Sequence, residues 1–182
     1  MLTALQERKL DRAFGHMDVD RSGDLELDDL IALGVRVLAA FGVSPDSDLG
    51  HRLFGTYTDF WEVLLAKIDL DGDRKISREE YRLGMNTAFI EDPDGYERAL
   101  RPAIQATLDV TDVNGNRMLD LEEFQRFQSA FGTSPEDAEL AFRKIDTDGS
   151  GALSIEELVE AGRQFYLSED PDLTGNWLFG PV

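Results

Sequence analysis

The sequence predicts an all-α protein: four helix–loop–helix units, arranged as two paired lobes that form one compact globule, with short β-bridges between paired loops. Three observations predict it. Four twelve-residue segments, starting at Asp18, Asp69, Asp112 and Asp146, repeat one order of acids and amides around a turn, then an aliphatic residue, then a closing acid. Apolar residues at helical spacing flank every segment. The charge gathers there too. The segments hold 6, 5, 4 and 4 of the chain's 37 acids and, against Arg21, Arg74, Lys75, Arg78 and Arg117, carry −14 of its net −19.

Each unit can be justified in order. Leu10, Phe14 and Met17, at i, i+4 and i+7, lead into segment 18–29, and Leu30, Leu33 and Val37 follow it. Phe60, Trp61, Leu64, Leu65 and Ile68 precede segment 69–80, with Tyr81 and Met85 after it. Segment 112–123 sits between Ile104 with Leu108 and the stripe Phe124, Phe127, Phe131. Segment 146–157 sits between Leu140, Ala141, Ile145 and Leu158, Ala161, Phe165. Such stripes are core faces of amphipathic helices. Ser134-Pro135 reads as an N-cap with proline at the first helical position, while Ser44-Pro45 and Asp92-Pro93-Asp94-Gly95 break the chain between units. The segments start 51, 43 and 34 residues apart, which predicts longer helices and connections in the first half. The lobes are expected at 1–91 and 92–167. Residues 168–182 form a tail whose Trp177, Leu178 and Phe179 are too apolar to hang free, so it is expected to dock on the globule.

The spacing of oxygens states the chemistry. Side chains at segment positions 1, 3 and 5, a carbonyl at 7 and an acid at 12 wrap a hard cation, and calcium takes six to eight such oxygens at about 2.3–2.6 Å. Without metal, two carboxylates about 5 Å apart repel by roughly 3 kcal/mol at an effective dielectric near 20. A divalent ion reverses that repulsion, so binding and folding are expected to be coupled. In residue types and spacing the segments resemble EF-hand loops, which makes the predicted fold four EF-hands in two pairs.

Loop one offers Asp18, Asp20, Ser22, the Asp24 carbonyl, Glu26 and Asp29. Loop two offers Asp69, Asp71, Asp73, the Lys75 carbonyl, Ser77 and Glu80. Loop three offers Asp112, Asn114, Asn116, the Met118 carbonyl, Asp120 and Glu123, and loop four Asp146, Asp148, Ser150, the Ala152 carbonyl, Ser154 and Glu157. Up to four Ca²⁺ are expected. Asp29 is short for bidentate reach, which weakens calcium there or favours Mg²⁺. Position 6, normally glycine because the backbone turns left-handed, is Arg74 and Arg117 in loops two and three. That strain is about 1–2 kcal/mol, roughly tenfold in affinity. The position-8 aliphatics, Leu25, Ile76, Leu119 and Leu153, are expected to pair the loops by β-bridges.

Composition narrows the partners. With 42% hydrophobic and 30% charged residues the chain reads as soluble and globular. Its acidity excludes nucleic acid and anionic membrane surfaces as partners, leaving a cation or a basic protein. The apolar run from Leu30 to Val43 is broken by Arg36 and too short to span a bilayer, so no membrane insertion is expected. No cysteine and no leader pattern fit a cytoplasmic, reducing compartment. No phosphate-binding, nucleophile-elbow or His-Glu-x-x-His motif occurs, and only His16 and His51 are histidines, so no enzyme is expected.

The uneven unit spacing, with the stretches Phe165–Pro171 and Gly175–Gly180, resembles the sarcoplasmic calcium-binding proteins and their bacterial relatives. That resemblance implies a compact, monomeric four-hand globule that buffers or transports calcium, with no target protein named. The alternative is a sensor that changes shape to grip a target. Sensors open methionine-rich grooves; four methionines in the whole chain favour the buffer.

Overall fold

The computed structural model describes residues 2–181. The first helix begins where Thr3 and Gln6 close a capping box: the Thr3 hydroxyl accepts the Gln6 N–H and the Gln6 side chain accepts the Thr3 N–H. In chain order follow α1 (Ala4–Met17), β1 (Asp24–Leu25), α2 (Leu27–Ala40), α3 (Asp48–Ile68), β2 (Ile76–Ser77) and α4 (Arg78–Met85). The second half runs α5 (Pro93–Gly95), α6 (Arg101–Thr111), β3 (Met118–Leu119), α7 (Leu121–Ala130), α8 (Pro135–Ile145), β4 (Leu153–Ser154) and α9 (Ile155–Leu167). Wider π-type turns, Asn86–Ile90 and Tyr96–Leu100, follow α4 and precede α6, so the junction between the halves is nearly continuous helix. Ser134 caps α8 by accepting the Asp137 N–H, with Pro135 just inside, as the sequence predicts.

The loops pair as expected. β1 lies antiparallel to β2 with Leu25 opposite Ile76, and β3 to β4 with Leu119 opposite Leu153. All four of these aliphatics are 0% exposed. Each pair is thus stitched by a two-residue ladder over a buried apolar contact, which explains why the units come in twos. One continuous core joins the pairs, running from Leu10 and Phe14 through Leu64 and Phe89 to Phe124, Leu158 and Phe165. Leu140 departs from the predicted stripe and is 38% exposed; Ala141 and Ile145 carry the core face of α8.

After α9 the tail turns back, makes a 3₁₀ turn at Thr174–Trp177 and buries Leu178 and Phe179 in that core. Phe179 packs against Phe131, Phe165 and the His16 ring at centroid distances of 5.3, 5.1 and 5.0 Å. Polar groups from α1 and α7 hold it in place. Lys9 of α1, 1% exposed, donates to the Gln164 and Ser168 carbonyls and to Asn176 Oδ1 (3.2, 2.6 and 3.0 Å). Arg12 donates to the Phe179 carbonyl at 2.7 Å, and Gln128 of α7 to the Leu178 carbonyl at 2.8 Å. Burial alone pulls the Lys9 ammonium down to about 8. Gly175 is required where the tail crosses α9, since a Cβ there would sit 2.5 Å from the Ala161 carbonyl oxygen.

Between the pairs the core leaves a void of about 80 Å³. Among the described residues, no helix is long and apolar enough to cross a membrane.

Candidate metal centre

Every loop is built on one backbone plan. Positions 4 and 6 both turn left-handed: Arg21 (φ 61°) and Gly23 (96°), Gly72 (78°) and Arg74 (64°), Gly115 (72°) and Arg117 (58°), Gly149 (69°) and Gly151 (81°). Arg74 and Arg117 are strained as the sequence implies. Arg21 is strained equally, at a position the sequence reading did not weigh. Loop four alone has glycine at both. Glycine at position 4 of the other three loops was the signal that could have found it.

The side-chain oxygens line the inside of these turns. The first-position carboxylates, Asp18, Asp69, Asp112 and Asp146, accept the position-6 N–H of Gly23, Arg74, Arg117 and Gly151 at 3.0–3.2 Å. Position 3 (Asp20, Asp71, Asn114, Asp148) accepts the N–H of position 5 at 2.8–3.1 Å. These bonds hold Asp20 and Asp148 below the usual carboxylate range, the Ser22 and Ser150 backbone bonds contributing most. Position 5 divides the loops. Asp73 and Asn116 accept the N–H of Lys75 and Met118 at 2.8 and 2.9 Å. Ser22 and Ser150 instead donate to the carbonyls of Asp24 and Ala152 at 2.9 and 2.8 Å, so two expected ligands lie on one another.

The closing acids do two jobs. Position 9 caps the helix that leaves each loop, and position 12 is its third residue. Ser77 with Glu80, Asp120 with Glu123 and Ser154 with Glu157 therefore form capping boxes. Loop one makes half of one, with the Glu26 N–H on Asp29 Oδ2 at 3.0 Å. In the N-terminal pair the acid also reaches across the loop. Asp29 Oδ1 accepts the Val19 and Asp20 N–H groups (3.0 and 3.3 Å), and Glu80 Oε1 accepts that of Leu70 (3.0 Å). Desolvation opposes ionisation of Glu80, yet the Ser77 and Leu70 bonds outweigh it and hold the carboxyl below its usual range. In the C-terminal pair, Glu123 and Glu157 engage only Oε2, on Asp120 and Ser154; among the described residues, Oε1 of each carries no hydrogen bond.

Carboxylates converge in the first two loops. One oxygen from each of Asp18, Asp20 and Asp29 lies within 4.8 Å of the others, as do those of Asp69, Asp71 and Asp73. Asp18 Oδ1 is buried with no hydrogen-bond partner. A buried, unpartnered anionic oxygen amid two further carboxylates is the environment a cation satisfies, so the donor set fits a hard divalent ion. Glu26 is placed differently: its Oε1 lies 2.6 Å from the Lys75 ammonium, across the pair. The C-terminal pair has its own cross-loop bridge, Arg117 to Glu156, also at 2.6 Å.

Comparison with known proteins agrees with this geometry. The EF-hand domain pair family matches residues 101–163 and the EF hand family residues 62–85. Calerythrin of Saccharopolyspora erythraea is 28% identical over 177 residues, covering 96% of this chain and all of that one. A Streptomyces coelicolor calcium-binding protein, described in prokaryotic calcium-mediated regulation, shares 32% identity and superposes with a TM-score of 0.77 over 88% of this chain and 97% of its own. A sarcoplasmic calcium-binding protein from amphioxus, at 20% identity, has the same fold over the full length of both chains (TM-score 0.78).

Proposed function

The chain belongs to the EF-hand family of calcium-binding proteins, and from that premise we propose that it works mainly as an intracellular, monomeric calcium buffer or transporter. Each pair, residues 1–91 and 92–167, is one binding unit, and the tail, 168–182, is its permanent cover. Four ions bind. The ligands are the position 1, 3, 5 and 12 side chains and the position-7 carbonyls, with Ser77, Asp120 and Ser154 acting through water at position 9. Loop one, closed by the short Asp29, is the site that accepts Mg²⁺. The observation that carries the buffer reading is the occupied interior: Leu178 and Phe179 already fill apolar surface that a sensor would present to a target. Zero cysteines fit the reducing compartment.

A second reading, a sensor that releases its tail or opens a lobe, draws on the regulatory setting of the Streptomyces relative. Calcium titration of the metal-free chain in the presence of an apolar fluorescent dye separates the two. A buffer leaves dye fluorescence flat from zero to saturation; strong calcium-induced dye binding overturns it. Calorimetry with and without millimolar magnesium gives the number of ions, their affinity classes and the extent to which magnesium competes.

A further inference from the structure

We propose that the surface cleft between α1, loop one and α2 is a binding site for phosphate or a small phosphate monoester. The proposal does not depend on the buffer reading. Three arginines, Arg12, Arg21 and Arg36, line the cleft with two acids, Asp11 and Asp18, and it holds about 500 Å³. That lies within the range of small-molecule sites, about 300–1,000 Å³.

The chain has 37 acids against 18 lysines and arginines, so an arginine without a carboxylate partner is out of the ordinary. Among the described residues, none of these three arginines has a carboxylate within 4.0 Å. Arg12 gives one N–H to the Phe179 carbonyl. Arg21 turns left-handed (φ 61°) at position 4, where the other loops have Gly72, Gly115 and Gly149. The two other left-handed arginines each meet an acid, Arg74 on Glu62 at 3.6 Å and Arg117 on Glu156 at 2.6 Å. Arg21 meets none. Backbone strain of this kind persists where a local role holds it, and the partner Arg21 lacks within the chain is an anion.

The acids of the cleft are already engaged. Asp11 accepts from Arg82 Nε at 2.6 Å and lies 3.7 Å from Arg78. Asp18 accepts the Gly23 N–H and joins the carboxylates gathered in loop one, where a divalent ion would offset its charge. Guanidinium forks match phosphate and carboxylate oxygens. A tetrahedral phosphate offers an oxygen to each of three forks, whereas a carboxylate has two oxygens in all. The net charge of −19 repels a polyanion or an anionic bilayer far more than one small dianion, which favours a free phosphate over a lipid headgroup.

The test titrates inorganic phosphate into the full-length, calcium-loaded chain at micromolar free calcium, followed by calorimetry and by NMR of the arginine Nε–H groups. The expected result is saturable binding in which the Arg12, Arg21 and Arg36 signals move together. Arg36→Ala, a change on the exposed side of α2, weakens phosphate at least fivefold while the calcium stoichiometry stays unchanged. Arg21→Gly weakens it likewise while tightening calcium at loop one. Arg52→Ala removes an exposed arginine of α3 outside the cleft and leaves phosphate binding as in the parent. Phosphatidylcholine vesicles carrying phosphatidylinositol phosphate do not sediment the chain. No saturable shift in millimolar phosphate overturns the proposal. So do an Arg36→Ala variant that binds phosphate as the parent does, an Arg52→Ala variant weakened as much as Arg36→Ala, or co-sedimentation with the vesicles. Calcium stoichiometry on the same samples shows separately whether loop one takes its ion.

Discussion

The N-terminal and C-terminal pairs share one backbone plan yet treat their closing acids differently. Asp29 and Glu80 engage both carboxylate oxygens, bridging from the helix cap to the far side of the loop. Glu123 and Glu157 sit in the cap by one oxygen and keep the other available. An ion entering the first pair must replace hydrogen bonds already made; an ion entering the second meets an acceptor already poised. Against this, carboxylates crowd more tightly in the first pair, so an ion relieves more repulsion there. On this comparison affinity is expected to follow not the number of acids in a loop but how many of their lone pairs the loop has already used.

The largest effect expected from this comparison comes from removing a closing carboxylate. Glu157→Gln keeps the cap, since the amide oxygen still accepts from Ser154, but loses the bidentate charge. Calorimetry should show one tight ion fewer. Glu80→Gln should remove one ion of the weaker class instead. If the first pair's ions proved to be the tight ones, the ranking would be reversed and the poised-oxygen argument lost.

Backbone strain gives the next effect. Arg21→Gly relieves a left-handed arginine worth about 1–2 kcal/mol, and should tighten calcium at loop one by up to about tenfold. Gly151→Arg should weaken loop four by a similar factor. Arg117→Gly should gain less, because it also gives up the solvent-exposed bridge to Glu156. Equal gains at Arg21 and Arg117 would show that the bridge contributes nothing.

Asp29→Glu comes third. A longer arm reaches the ion and still leaves an oxygen for the Glu26 N–H, so loop one should gain severalfold in calcium affinity and lose its preference for magnesium. Unchanged binding would mean Asp29 only closes the loop.

How much of this was legible from sequence follows from the range of each interaction. The position-8 aliphatics declared the pairing because a buried Leu25 opposite Ile76 needs only local register. The strain at Arg74 and Arg117 is readable from position 6 of each loop by itself, whereas that at Arg21 shows only when position 4 is compared across the loops, where the other three carry Gly72, Gly115 and Gly149. The capping boxes stand in the sequence as Ser77-x-x-Glu80 and Ser154-x-x-Glu157, on the same residues that the ion requires, so one pattern carries two roles. Lys9 gave no sign at all. Its three acceptors lie more than 150 residues away, and an exposed-type residue on α1 looks solvated until the tail is in place. His16 likewise sits against Phe131 and Phe179, contacts made only by the folded chain.

The smallest effect probes the bridges between paired loops, which look alike and should respond unlike. Lys75 and Glu26 meet at 2.6 Å with both side chains 46% exposed, so solvent screens the pair and it contributes little to stability. Lys75→Met breaks it, frees a carboxylate at position 9 of loop one and removes a positive charge from beside both loops. Calcium affinity of the first pair should therefore rise, by no more than about fivefold, and the gain should fade in high salt as screening shortens to about 3 Å at 1 M. Glu156→Gln breaks the corresponding bridge in the second pair but frees no candidate ligand, since Arg117 and Glu156 occupy positions 6 and 11. Its calcium affinity should hold steady or fall slightly with the lost acid. If both substitutions raised affinity alike, Glu26 would be no more than a charge partner of Lys75, and loop one would bind without it.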